Sequence, residues 1–140
     1  VPDEEEDRKA EEAAPLRGGT ETVLVAEDDD ALRGMAVAAL GQYGYAVIEA
    51  VDGADAVNRF AEMRDRISLV ILDCIMPKKS GKETREAIRA LNPRAKAIFI
   101  SGYAEEIFNG QGLAQEGDAF LQKPFSPLVL VRLIRKMLDE

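Results

Sequence analysis

Three acidic residues follow two apolar segments of the chain and could form a single site. Glu27 and Asp28 come directly after the apolar run 23–26, and Asp73 comes directly after the apolar run 69–72. Four-residue apolar runs that end in carboxylates are typical of buried parallel strands, with the acids at their carboxyl ends. Ligands bind at that edge of an open parallel sheet. If the two strands are neighbours, we expect the three carboxylates to converge.

Converging carboxylates repel one another, so the cluster predicts a bound cation. Two unit charges ~4 Å apart repel by about 4 kcal/mol at an effective dielectric constant of about 20. The chain has no His, and carboxylate oxygens favour hard cations over softer transition metals. We therefore predict a site for Mg²⁺ or a similar divalent cation.

The composition is that of one soluble domain. The chain has 140 residues, 46% of them apolar and 31% charged, which is enough for one hydrophobic core. One cysteine excludes an intramolecular disulfide. No apolar run is long enough to span a bilayer and none resembles a signal peptide, so we expect a cytoplasmic location without membrane contact. Because the chain begins with Val1 rather than Met, we expect it to be a piece of a longer protein.

The net charge of −8 is spread unevenly along the chain. Residues 1–12 hold seven acidic and two basic side chains, and Pro15, Gly18 and Gly19 follow them. We interpret residues 1–21 as an acidic, flexible linker or tail and residues 22–140 as the folded domain. No basic stripe is present to follow a phosphate backbone, so we do not expect direct nucleic-acid binding.

From residue 22 onward, apolar strand-like segments alternate five times with amphipathic helical segments. The predicted strands lie at about 22–26, 45–50, 68–72, 97–100 and 119–121. Ser80 and Glu83 have capping-box spacing for the third helix, and Ser126-Pro127 predicts the start of the last one. The segment 104–116 is a poor helix because Gly110 and Gly112 interrupt it. This order predicts a doubly wound α/β fold, (βα)5, with a parallel five-stranded sheet and helices on both faces.

A hydroxyl and an ammonium group follow the fourth and fifth predicted strands. Ser101 ends one and Lys123 comes just after the other, so both belong to the same sheet edge as the acids. A carboxylate nucleophile, a metal and two hydrogen-bond donors suit phosphoryl transfer onto the carboxylate, since the donors and the metal neutralise charge on the phosphoryl oxygens.

Four motifs in this order resemble the response-regulator receiver domains of two-component signalling, which have a flavodoxin-like fold. They are Glu27-Asp28-Asp29, the segment from Asp73 to Gly81, Ser101-Gly102-Tyr103, and Lys123-Pro124-Phe125. The resemblance covers residues 22–139 in broad terms. It is greatest to the C-terminal receivers of hybrid sensor histidine kinases.

The resemblance implies a role for each charged position. Asp73 is similar to the phosphoacceptor, which takes a phosphoryl group from a kinase phosphohistidine. Glu27 and Asp28 resemble the acidic pair that binds Mg²⁺, with Asp73 and the backbone carbonyl of Ile75 as further ligands. Lys123 matches the lysine that contacts the phosphoryl group, and the bond from it to Pro124 is expected to be cis.

The resemblance also implies switch and lifetime positions. Ser101 matches the switch hydroxyl, and Phe120 matches the aromatic residue that packs inward on activation. Ile75 and Tyr103 occupy positions that tune the lifetime of the phosphoryl group. Since both are bulky, we expect them to restrict the attacking water and to prolong the phosphorylated state.

The expected partner is a histidine kinase or phosphotransfer protein, and the last two βα units could also mediate a homodimer. Catalysis by the domain itself is expected to be limited to self-phosphorylation and self-dephosphorylation, although the parent protein could be a histidine kinase. The alternatives are a stand-alone regulator, a degenerate interaction module, and a phosphohydrolase of the haloacid-dehalogenase type. Asp28 and Asp30 have the spacing of that last class, but Leu32 stands where its threonine would be.

Overall fold

The computed structural model describes residues 18–102 and 118–140, and five strands and four helices lie within these residues. The strands are β1 (Thr22–Ala26), β2 (Ala46–Ala50), β3 (Ile67–Asp73), β4 (Lys96–Ser101) and β5 (Ala119–Gln122). The helices are α1 (Asp30–Gln42), α2 (Gly53–Met63), α3 (Gly81–Leu91) and α4 (Pro127–Asp139). The weak helix predicted at 104–116 lies outside the described residues.

The strands form one parallel sheet in the order β2-β1-β3-β4-β5. The doubly wound, flavodoxin-like prediction is therefore confirmed. The chain adds β2 on one side of β1 and then β3 on the other, so the strand order reverses between β1 and β3. A crevice forms at such a point, at the carboxyl ends of the two strands. Ala26 lies opposite Leu72, which brings the residues that follow each of them to the same level.

The sheet is covered on both faces by separate apolar clusters. Val23 and Val25 of β1 belong to the cluster that includes residues of α1 and α4. Leu24 and Ala26 belong to the cluster on the other face, with residues of α2 and α3. All four side chains are at most 2% exposed. Burial on both faces explains why β1 is a continuous apolar run rather than an alternating one.

The sequence predicted that Asp73 follows the third strand. In the structure Asp73 is instead the last residue of β3. The pairing with β4 continues up to Asp73, which lies opposite Ile100. The backbone of Asp73 is therefore fixed by the sheet, although a run of apolar residues alone does not reveal this. The boundary of β1, by contrast, is the predicted one.

Side chains cap the helix starts, and at α3 the cap is the one that the sequence predicts. The Asp29 side chain accepts hydrogen bonds from the backbone N–H groups of Ala31 and Leu32 at the start of α1. The predicted capping box of Ser80 and Glu83 is present at α3. Each cap satisfies backbone donors that the helix itself leaves unpaired.

Residues just before β1 contact the domain. The Gly19 N–H donates to the Tyr43 carbonyl at 3.1 Å, and Arg135 of α4 donates to the Gly18 carbonyl and to the Glu21 carboxylate. These contacts involve the end of the segment 1–21, whose earlier residues lie outside the described part. None of the helices in 18–102 and 118–140 has the length and apolar character needed to cross a membrane.

The loop between β3 and α3 contains a residue in the left-handed region. Lys78 has φ of 70°, and its ammonium lies 3.5 Å from the Asp52 carboxylate at the start of α2. A Cβ placed on Gly53 would lie 2.4 Å from the Lys79 carbonyl oxygen. The loop thus packs closely on the α2 N-terminus and has a backbone conformation that disfavours a side chain at position 78.

Substitutions at Lys78 provide a test of this strain. We expect Lys78→Gly to be more stable than Lys78→Ala by about 1 kcal/mol, because glycine adopts positive φ without a steric penalty. Glu86→Gly and Glu86→Ala, at an exposed position inside α3, are the control pair. There we expect the alanine variant to be more stable than the glycine variant by about 1 kcal/mol. Urea unfolding followed by circular dichroism measures all four variants. Equal stabilities of the two position-78 variants would contradict the expectation.

Candidate functional site

The crevice between β1 and β3 brings three carboxylates together. Glu27 follows β1, Asp28 comes next, and Asp73 ends β3. One carboxylate oxygen from each residue lies within 4.8 Å of the other two. Glu27 and Asp73 are buried, at 4% and 7% exposure, whereas Asp28 is exposed. The convergence expected from neighbouring strands is thus present in the structure.

Lys123 lies against two of these carboxylates. Its Nζ donates to Asp73 Oδ2 at 2.8 Å and to Glu27 Oε1 at 3.1 Å. The backbone directs it there, because Ser101 of β4 lies opposite Gln122 of β5 and the Lys123 N–H donates to the Ser101 carbonyl at 2.8 Å. The lysine supplies one positive charge to a cluster that can carry three negative charges.

The site has one ammonium beside three carboxylates, and both burial and these neighbours shift the pKa values of Glu27 and Lys123. Burial, followed by the neighbouring Asp73 carboxylate, raises the pKa of Glu27 to about 7. Burial by itself lowers the pKa of Lys123, but its hydrogen bonds to Asp73 and Glu27 more than offset that effect and the pKa is raised. The lysine is therefore charged at neutral pH, while Glu27 retains a proton in part of the molecules.

Backbone donors hold the remaining oxygens of the two buried acids. The Ile75 N–H donates to Asp73 Oδ1 at 3.2 Å, and the Asp29 N–H donates to Glu27 Oε2 at 3.1 Å. The Ile75 side chain is 62% exposed at this edge. The role of its carbonyl as a metal ligand stays a prediction.

The predicted switch residues lie on β4 and β5. Ser101 is fully buried at the end of β4. The Phe120 ring is partly buried and stacks on Phe99, with ring centroids 5.4 Å apart and an interplanar angle of 26°. The bond between Lys123 and Pro124 is cis, as expected. Tyr103, the second predicted lifetime position, lies outside the described residues.

The donor set fits Mg²⁺. The three side chains offer only oxygen ligands, and both buried acids are already hydrogen-bonded by backbone N–H groups that fix their orientation. Lys123 places one positive charge beside three carboxylates. A small divalent cation that binds through few carboxylates and retains its waters suits these observations.

The sequence reasoning missed one residue at this site. Arg33 in the first turn of α1 donates through Nη1 to the backbone carbonyl of Glu27 at 2.7 Å. Its other nitrogens contact Asp30 and Glu49. The only signal in the sequence is an arginine three residues after Asp30, which is an ordinary spacing for an ion pair on a helix surface.

Residues 23–135 match the family model of the response regulator receiver domain. The chain belongs to this family. Members of the family are phosphoacceptor modules of two-component signalling that interact with histidine kinases and phosphotransfer proteins. The resemblance in the four sequence motifs is thereby confirmed at the level of the family.

Similar proteins include one that is much longer than this chain and one of similar length. The sensor kinase CckA of Brucella abortus (strain 2308) is 37% identical over 134 residues, which are 96% of this chain and 14% of that protein. The response regulator receiver protein CpdR of the same organism is 36% identical over 116 residues, which are 83% of this chain and 95% of that protein. The chain thus spans a small part of the first relative and nearly all of the second.

Solved structures show the same fold. The receiver domain of the hybrid histidine kinase CckA superimposes with a TM-score of 0.73 at 33% identity, over 84% of this chain and 98% of that one. A CheY-like receiver domain protein from Methanospirillum hungatei JF-1 gives a TM-score of 0.77 at 25% identity, over 86% and 95%.

The raised pKa of Glu27 predicts how stability changes with pH when divalent cations are removed. Between the ordinary pKa of 4.5 and about 7, the folded state holds a proton that the unfolded state has released. The free energy of unfolding therefore falls as pH rises through this range. We expect Glu27→Gln to be about 1–2 kcal/mol more stable than the wild type at pH 8 in EDTA, and the difference to vanish at about pH 4, below the ordinary pKa of the group.

Urea unfolding at the two pH values measures this effect. Glu62→Gln, which removes an exposed acid at the far end of α2, is the matched control and should show no such pH-dependent gain. A Glu27→Gln variant that is less stable than the wild type at pH 8 would contradict the raised pKa of Glu27.

Proposed function

We propose that this domain accepts a phosphoryl group on Asp73 from a phosphohistidine of a histidine kinase or phosphotransfer protein, in a reaction that needs Mg²⁺. The observation that carries the proposal is the Lys123 ammonium, which joins Asp73 to Glu27 inside the carboxylate cluster at the crevice of the sheet. A structural salt bridge would not need a third acid beside it. A phosphoacceptor site needs both the excess of oxygen ligands and the cation.

The chemistry balances with the groups present. A carboxylate oxygen of Asp73 forms a bond to phosphorus while the bond from phosphorus to the imidazole nitrogen breaks, and the nitrogen keeps the electron pair. Glu27, Asp28, Asp73 and the Ile75 carbonyl would hold Mg²⁺, which supplies neutralisation of charge on the phosphoryl oxygens. Lys123 donates hydrogen bonds from a position already next to the nucleophile.

Ser101 and Phe120 are proposed to convert the added charge into a change of conformation. The backbone carbonyl of Ser101, at the end of β4, accepts a hydrogen bond from the Lys123 N–H. The residue that carries the hydroxyl is therefore bonded directly to the residue that carries the ammonium. Phe120 stacks on Phe99 in the adjacent strand. Phosphorylation would bias such a two-state element by adding differential contacts to one state.

Residues 22–140 are proposed as the receiver domain of a hybrid sensor kinase, with residues 1–21 as the linker. In support, the match to the Brucella sensor kinase covers 134 of 140 residues and so extends into the segment 1–21. The similarity to CpdR covers 116 residues and keeps a stand-alone regulator as the alternative. A homodimer through the last two βα units is a further proposal.

The phosphohydrolase alternative has no support from the geometry. It needs Asp30 beside Asp28, but the Asp30 side chain is 87% exposed and pairs with Arg33 at 2.5 Å. The carboxylate that lies with those of Glu27 and Asp28 is that of Asp73.

The other alternative, a degenerate interaction module, would not accept a phosphoryl group, so a labelling experiment distinguishes it from a phosphoacceptor.

Labelling with a small phosphodonor tests the proposal directly. We expect incubation with acetyl phosphate and Mg²⁺ to add one phosphoryl group per chain, detected by intact mass. Asp73→Asn and an excess of EDTA should each abolish the added mass, because the first removes the nucleophile and the second removes the cation. Asp65→Asn, an exposed acid after α2, is the control and should be labelled like the wild type. Labelling that persists in Asp73→Asn would refute the assignment.

The lifetime proposal has a separate test. We expect Ile75→Ala to shorten the half-life of the phosphorylated domain about three- to tenfold, which corresponds to a barrier lower by about 1 kcal/mol, because water reaches the phosphoryl group more easily. Val51 is 49% exposed at the same edge of the sheet, so Val51→Ala is the matched control. An unchanged rate of phosphate loss in Ile75→Ala would count against a shielding role for this side chain.

A further inference from the structure

The Arg33 side chain of α1 contacts the Glu27 backbone, just after β1, and a carboxylate of β2. Its Nη1 donates to the Glu27 carbonyl at 2.7 Å, its Nε to Glu49 of β2 at 3.2 Å, and its Nη2 to Asp30 at 2.5 Å. The arginine side chain is only 13% exposed. All three guanidinium nitrogens therefore have an oxygen partner, and the partners come from the end of β1, from β2 and from α1.

The position of Arg33 is unfavourable for the helix that carries it. The residue lies in the fourth position of α1, where the positive end of the helix dipole disfavours a cation. Its two carboxylate partners are exposed, at 87% for Asp30 and 51% for Glu49, and exposed ion pairs contribute little to stability. Neither the helix nor the two exposed ion pairs therefore accounts for an arginine at this position. The remaining contact of Arg33 is its hydrogen bond to the partly buried backbone carbonyl of Glu27.

That contact completes the fixing of Glu27. The Glu27 N–H donates to the Ala50 carbonyl of β2 at 3.1 Å, and the Glu27 carbonyl accepts from Arg33. The carboxylate accepts from the Asp29 N–H and from Lys123. The peptide group that Arg33 binds links Glu27 to Asp28, so it controls the direction of both acidic side chains.

We propose that Arg33 is a positioning residue for the divalent-cation site: it holds the Glu27–Asp28 peptide so that both carboxylates face Asp73. This inference rests on the proposed function, because it assumes that the cluster binds Mg²⁺. Lysine would not replace arginine here. One ammonium group cannot reach three oxygens on three elements in the planar arrangement that a guanidinium provides.

Magnesium affinity measured by calorimetry at pH 8 tests the proposal. We expect Arg33→Lys, which keeps the charge, to weaken Mg²⁺ binding about tenfold, as when a group that orients a metal ligand is lost. Glu49→Gln weakens the neighbouring ion pair but keeps the Glu27 contact, so its affinity should stay within about twofold of the wild type. Arg59→Lys alters a comparable pair with Asp55 on α2 and should have no effect.

A second measurement is independent of the metal. The Asp29 amide donates to Glu27 Oε2, so its solvent exchange in the metal-free protein reports how well the Glu27 carboxylate is held. We expect Arg33→Lys to accelerate exchange at Asp29 while the buried amides of β1 and β3 keep the wild-type rates. Equal acceleration at all of these amides would indicate general destabilisation and would overturn the positioning role.

The outcomes separate this inference from the proposed function. A wild-type domain without measurable Mg²⁺ affinity would overturn the proposed function and this inference together. Clear binding by the wild type with unchanged affinity in Arg33→Lys would overturn the inference alone.

Discussion

The mutual repulsion of three carboxylates is the constraint on which the rest of the site depends. Their oxygens lie within 4.8 Å of one another, and two of the side chains are buried, where repulsion is screened less than in water. Lys123 offsets part of this charge, and burial, followed by the neighbouring Asp73 carboxylate, raises the pKa of Glu27 to about 7. With one ammonium beside three carboxylates, the cluster has the oxygen ligands that could hold a metal ion.

The sheet makes this unfavourable arrangement possible. Glu27 follows β1 and Asp73 ends β3. These two strands are adjacent in the centre of the sheet, and their apolar side chains are almost fully buried on both faces. Each fully buried aliphatic side chain contributes about 1.5–3 kcal/mol, so burial of these strands stabilises the fold against the repulsion. Asp28 and Ile75 lie just beyond the carboxyl ends of these two strands.

The site residues predicted from the sequence have side chains as partners, whereas Arg33, which was missed, has a backbone carbonyl as its partner at the site. Glu27, Asp73 and Lys123 interact through their side chains, and buried strands place them at one edge, so residue type and order were sufficient to predict their convergence. Arg33 acts on a backbone carbonyl, which every residue has, and no pattern of side chains marks it. The positive φ of Lys78 was equally hidden, because glycine is the usual residue in that conformation. The extent of β3 up to Asp73 depended on its pairing with β4, a tertiary feature.

The two strands on one side of β3, which are β4 and β5, differ in how firmly they are held, and this difference suits the proposed switch. Five of the six residues of β4 are buried, whereas none of the four residues of β5 is. Lys123 follows directly after β5, so a shift of its ammonium from Glu27 toward an added phosphoryl group would pull on the less buried strand. Phe120 lies on that strand and stacks on Phe99 of the firmly held one. Because segments with few buried contacts rearrange at the lowest cost, the added charge would be transmitted through β5 rather than through the centre of the sheet.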